Sequence, residues 1–208
     1  MNINIDKSDN TEIVAIVDRS GSMESIKQDA IGGFNTFLNQ QKSLPGSATF
    51  TLIKFDDEIK IEYSGVSLML VKPFNEENFV PRGTTALYDA IGAGVSEAAS
   101  RGENRKVIVA ILTDGMENAS TKYTNSMIKE LIGKYEAKGW AFIFLATGFS
   151  QFEAEKMASK IGLNSMNSIG VDRNSMHKVF GCAGSSVATY RSTGSIGDSV
   201  RGFIKKHF

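Results

Sequence analysis

The sequence predicts an α/β fold in three layers: a doubly wound, mostly parallel sheet with one antiparallel edge strand and helices on both faces. Three observations predict it. Residues 13–17 and 106–113 are apolar runs without polar alternation, as strands are when helices cover both faces. Elsewhere apolar residues recur at helical spacing, most cleanly at Leu87, Ala90, Ile91, Gly94, Val95, Ala98 and Ala99. The two patterns alternate along the chain, which implies parallel strands joined by crossover helices.

The first core strand spans residues 12–18 and ends on Asp18. The helix after Ser22 carries Ile26, Ala30, Phe34, Phe37 and Leu38 on one face. Gly32 and Gly33 lie inside it, where each is about 1 kcal/mol worse than alanine. They read as close packing against the sheet or a slight kink. Leu44, Pro45 and Gly46 break the chain, and residues 48–55 form the second strand. Asp56 and Asp57 suit a turn. Residues 58–63, with Ile59 and Ile61 on one face, pair back as a hairpin and give the antiparallel edge. Residues 68–80 read as a loop with a helical turn near Asn75, punctuated by Pro73 and Pro81.

A helix follows over 85–100, with Asp89 in its first turns, where negative charge suits the helix dipole. Residues 124–138 form the next helix, with Met127, Ile128, Leu131, Ile132 and Tyr135 inward and Gly139 as its stop. Residues 140–146 are a buried strand, 150–161 a helix, and 167–169 a short edge strand. Met176, Val179, Phe180, Ala183 and Val187 mark a helix over 174–190, and residues 194–208 repeat that pattern weakly. The domain plan is an N-terminal arm at 1–11, one domain at 12–170, and a C-terminal helical extension at 171–208 packed on it.

The chain has 208 residues, which suits one domain better than two, and a hydrophobic content of 41% can supply its core. Lys plus Arg and Asp plus Glu both number 23, so no excess of positive charge favours nucleic acid or anionic membranes. With 1 Cys, no internal disulfide is possible, and a reducing compartment is the natural expectation. No secretory leader pattern opens the sequence, and no apolar run approaches the ~20 residues of a membrane span. The expected location is the cytoplasm.

Asp18, Ser20 and Ser22 alternate, so their oxygens can converge on one side of an extended or turning segment. One carboxylate and two hydroxyls form a partial shell for a hard cation; magnesium takes about six oxygens and readily keeps waters among them. Thr85, near a helix start, and Asp114, at the end of an apolar strand, are placed to add two more. Together the Asp-x-Ser-x-Ser string at 18–22, the segment 82–89 and the segment 111–115 resemble the von Willebrand factor A (VWA) domain and its metal-ion-dependent adhesion site, in a compact cytosolic form of bacterial or phage type. The resemblance covers roughly residues 12–145. It implies that Asp18, Ser20, Ser22, Thr85 and Asp114 surround one Mg²⁺ or Mn²⁺. It further implies that a protein partner supplies an Asp or Glu to that ion.

Ligands of such sheets gather beyond the strands' C-terminal ends. Met23, Glu24, Arg82, Met116, Glu117, Asn118, Gly148 and Phe149 are therefore expected at a partner-binding rim. A role for Asp18 as a mere helix cap would serve part of the set, not all of it together with Asp114. Cys182 reads as a buried helix residue. Asn118, Ala119 and Ser120 fit a glycosylation sequon that a cytosolic chain would not use.

The expected function is metal-dependent protein binding without catalysis. One alternative is an adaptor, self-assembling into a homo-oligomer or associated with an ATPase, in which Glu24, Glu58 or Glu117 reaches a neighbour's metal. Another is a magnesium-dependent phosphohydrolase. Dehalogenase-type phosphatases want a second Asp where Ser20 stands, receiver domains want an acidic pair that is not seen, and no Gly-x-x-x-x-Gly-Lys loop occurs.

Overall fold

The computed structural model describes residues 10–102 and 105–207. Its order is β1 (Thr11–Asp18), α1 (Lys27–Ser43), β2 (Ala48–Phe55), β3 (Ile59–Ser67), α2 (Leu87–Ala99), β4 (Lys106–Thr113), α3 (Asn125–Glu136), β5 (Ala141–Thr147), α4 (Gln151–Lys160), β6 (Ser168–Val171), α5 (Met176–Thr193) and α6 (Ser199–His207). The strands form one sheet in the order β3-β2-β1-β4-β5-β6. Only β3 runs antiparallel.

The period of two along β1 sorts its side chains between two cores. Ile13, Ala15 and Val17 face Ala30, Phe34, Phe37 and Leu38 of α1 and Val179, Phe180 and Ala183 of α5. Val14 and Ile16 face Leu87, Ala90, Ile91 and Val95 of α2, in a cluster that also takes Ile128 and Ile132 of α3 and Ala154 and Ala158 of α4. Helices thus cover both faces, as the uninterrupted apolar strands predict.

The segment expected as a C-terminal extension supplies α5, which shares a core with α1 and the central strands. A Cβ on Gly33 would lie 2.1 Å from the Phe180 ring, so this glycine lets α1 and α5 approach closely. Cys182 is buried in the same layer, and burial pushes its thiol up to about 12. Of the expected arm at 1–11, residues 1–9 lie outside the described residues, and Thr11 already belongs to β1.

Three expectations shift. The edge strand β3 runs on to Ser67, beyond the expected end at residue 63, because β2 offers Thr49 and Phe50 as partners for Ser67 and Val66 across a bulged register. Pairing there overrides a weak local signal at Ser64 and Gly65. The loop over 68–80 is irregular but not superficial: Phe74 stacks between Phe34 at 3.7 Å and Phe79 at 5.0 Å, tying it to α1. α2 begins at Leu87, so Thr85 stays in the preceding loop.

Candidate metal centre

β1 and β4 are adjacent and parallel, yet the chain leaves them toward opposite edges of the sheet, β1 to β2 and β4 to β5. The crevice beyond their C-terminal ends is the switch point where such sheets bind ligands. Both ends carry an acid. Asp18 closes β1, and Asp114 follows Thr113, the last residue of β4.

The turn after β1 folds back on its own aspartate. The Ser20 N–H donates to Asp18 Oδ1 at 2.7 Å, and the Thr113 hydroxyl donates to Asp18 Oδ2 at 2.6 Å. Ser20 Oγ and Ser22 Oγ lie 3.1 Å apart, and the Ser22 hydroxyl donates to Asp114 Oδ1 at 2.7 Å. Thr85 arrives from the α2 side. Its N–H donates to Asn118 Oδ1 at 2.8 Å, and its carbonyl accepts from the N–H groups of Asn118 and Ala119. A Cβ on Gly115 would stand 2.9 Å from Thr85 Oγ1 and 3.8 Å from Asp18 Oδ2, so the bare glycine makes room for that hydroxyl beside the aspartate. Asp18, Ser20, Ser22, Thr85 and Asp114 therefore meet in one place.

Four of the five are buried, and only Ser22 reaches the surface. Burial raises the Asp18 carboxyl from 3.8 to about 6, against the lowering effect of the Thr113 and Ser20 hydrogen bonds. Burial also raises Asp114, opposed by Ser22 and Arg173. Two carboxylates out of water without full compensation make a site that favours a cation. Asp114 Oδ2 is buried and makes no hydrogen bond; the nearest cation, Arg173 Nη2, is 3.3 Å away. Among the described residues no three His, Cys, Asp or Glu gather as a ligand cluster. The donors here are two carboxylates and three hydroxyls, all hard oxygens, and the unpartnered Asp114 oxygen fits the same ion chemistry.

The expected rim divides. Met23 is not at the surface: it is fully buried in the core with α1, because the turn after Ser22 rolls inward before α1 starts. Glu117 lies at the rim, but its carboxylate accepts from the N–H groups of Tyr88, Ala119 and Ser120 and from the Ser120 hydroxyl, leaving it engaged at the start of α2. Arg82 is held by Asp56 at 2.8 Å and by Glu58. Phe149 is half-buried against the α2–α4 core, and Gly148 is exposed. Glu24 and Asn118 are exposed, and Met116 is 61% exposed. Asp89 does more than suit a dipole: its carboxylate takes the N–H groups of Thr121, Lys122 and Tyr123 and orders the loop after the site.

Sequence reasoning did not pick out Thr113 or Arg173. Thr113 is the last residue of β4, directly before Asp114, and Arg173 lies just past the end of β6, so a search of every strand end would have raised both.

Similar architectures exist among solved structures. The von Willebrand factor domain of the type V pilus tip protein Mfa5 from Porphyromonas gingivalis superposes with a TM-score of 0.62 at 9% identity, over 86% of this chain and 95% of that one. A von Willebrand factor type A protein from Catenulispora acidiphila gives 0.55 at 13% identity, over 87% of this chain and 43% of the other.

The fold is that of a VWA domain.

The VWA2 paralog of ArnB from Sulfolobus acidocaldarius agrees, at 0.55 and 18% identity, over 86% of this chain and 45% of that one. This chain spans less than half the length of the Catenulispora and Sulfolobus proteins. No family model and no curated protein matches its sequence.

Proposed function

We propose that this VWA domain is a metal-dependent protein-binding module. Asp18, Ser20, Ser22, Thr85 and Asp114 would hold Mg²⁺ or Mn²⁺, and the bound ion would offer one remaining coordination position to an Asp or Glu of a protein partner. The supporting observation is the meeting of five oxygen-bearing side chains from three loops at the switch point, with one buried carboxylate oxygen unpartnered. Three of the five donors are neutral hydroxyls, which leave a cation less compensated than a cage of carboxylates would. Exposed Met116 and Glu24 flank the site and give a partner surface to contact. The reading is of binding without catalysis, in the cytoplasm; among the described residues no helix is long and apolar enough to cross a membrane.

Calorimetric titration with MgCl₂ tests the proposal. The wild type should take up one ion and Asp18→Ala none. A pull-down in magnesium should then recover partners with the wild type that Asp18→Ala and chelator both lose. A wild type that takes up no magnesium or manganese would remove the reading.

A further inference from the structure

Arg173 contacts the site from a fixed base. It opens a short turn after β6, and Asp172 pins that turn by accepting from the Asn174 N–H at 2.9 Å and the Ser175 hydroxyl at 3.0 Å. The side chain then crosses the rim over Gly148, where a Cβ would lie 3.1 Å from Arg173 Nε and 3.3 Å from its Cγ. Gly148 has φ of +79°, a conformation that side chains rarely adopt, so the arginine's path is bare backbone. At its end the guanidinium reaches two loops. Nη1 donates to the Ser22 carbonyl at 3.3 Å and the Ser25 hydroxyl at 2.8 Å, while Nη2 stands 3.3 Å from Asp114 Oδ2.

We propose that Arg173 is a resident counter-cation of this site, competing with the divalent ion for Asp114 and so setting the ion concentration at which the site fills. The inference rests on the metal-binding reading above. Asp114 Oδ2 has Arg173 as its close charge and makes no hydrogen bond, so the oxygen a divalent ion would use is the one the guanidinium faces. The side chain of Arg173 is 44% exposed, so it can swing into water with little loss. Both effects of the arginine act in one direction: it shields Asp114, and its positive charge repels a second cation a few ångströms away. Once Arg173 gives up Asp114, its positive charge remains at the rim beside the position proposed for the partner's acid.

The test is calorimetric titration of wild type, Arg173→Gln and Arg173→Lys with MgCl₂ at constant ionic strength. Arg173→Gln should bind magnesium roughly tenfold more tightly than the wild type. Arg173→Lys, which keeps the charge, should stay near it. Equal or weaker binding by Arg173→Gln overturns the counter-cation role while leaving the metal site standing. Absence of binding by the wild type overturns both. A second measurement needs no variant: the guanidinium nitrogen resonance of Arg173 should shift as magnesium saturates the wild type, and a resonance that stays put counts against the proposal.

Discussion

Glu12 and Asp18 sit at opposite ends of β1, and neither side chain is exposed to water. At the first end the carboxylate is surrounded. Glu12 accepts from the Thr51 hydroxyl at 2.6 Å and pairs with both Arg101 and Arg105, while Arg101 also donates to Thr51 at 2.8 Å and Glu97 at 2.8 Å. At the second end Asp18 has a hydroxyl and a backbone N–H, and its companion Asp114 has a hydroxyl and one half-exposed guanidinium at 3.3 Å. The same buried chemistry is closed at one end of the strand and left open at the other. A closed cluster holds the fold together. An open one stores unfavourable charge that a ligand can relieve, as functional sites do.

The largest test removes the closed end. Glu12→Gln leaves Arg101 and Arg105 facing a neutral amide and should destabilise the fold by about 3–5 kcal/mol, read from urea unfolding in chelator. Equal stability would mean that the two ends do not differ.

Asp18→Asn should behave in the opposite way. In chelator at neutral pH it should be at least as stable as the wild type, because a buried charge disappears, while magnesium binding is lost. The pH dependence sharpens this. A carboxyl raised from 3.8 to about 6 binds more protons folded than unfolded between those values, so its contribution falls as pH rises through that window and is flat above it. The difference in unfolding free energy between wild type and Asp18→Asn should therefore shift by about 2 kcal/mol between pH 4 and pH 7.5, against the wild type at the higher pH. A constant difference would show that Asp18 is not held at a charge disadvantage.

Ser22→Ala touches the open end without altering its charge. It should weaken magnesium roughly tenfold in a titration and change unfolding by under about 1 kcal/mol. Glu117→Gln is the smallest case: losing a charged acceptor at the start of α2 should lower stability by about 1 kcal/mol and leave magnesium affinity within about twofold.

Much of this was legible in the chain itself. The alternation of apolar runs and helical stripes gave the layers, since a buried parallel strand and an amphipathic helix each impose a pattern of their own. Strand ends on Asp18 and before Asp114 were readable for the same reason. Rim details were not. Met23 looks like any exposed loop methionine until the turn after Ser22 is seen to roll it into the core. Glu117 looks like a free acid until the loop returns to meet Tyr88. The far half of β3 carries Ser64 and Gly65, and only β2 beside it makes that stretch a strand.

What the sequence determined by itself is therefore local: periodicity, caps and the residue types at each strand's end, because these depend on neighbours in the chain. Which of those residues face one another was decided by the tertiary structure. The parallel register of β1 against β4 places Asp18 beside Thr113, and the return of β6 brings Arg173 to within 3.3 Å of Asp114. Hydrogen bonds and charge pairs act over a few ångströms, and spacing along the polypeptide does not reveal such distances between remote segments.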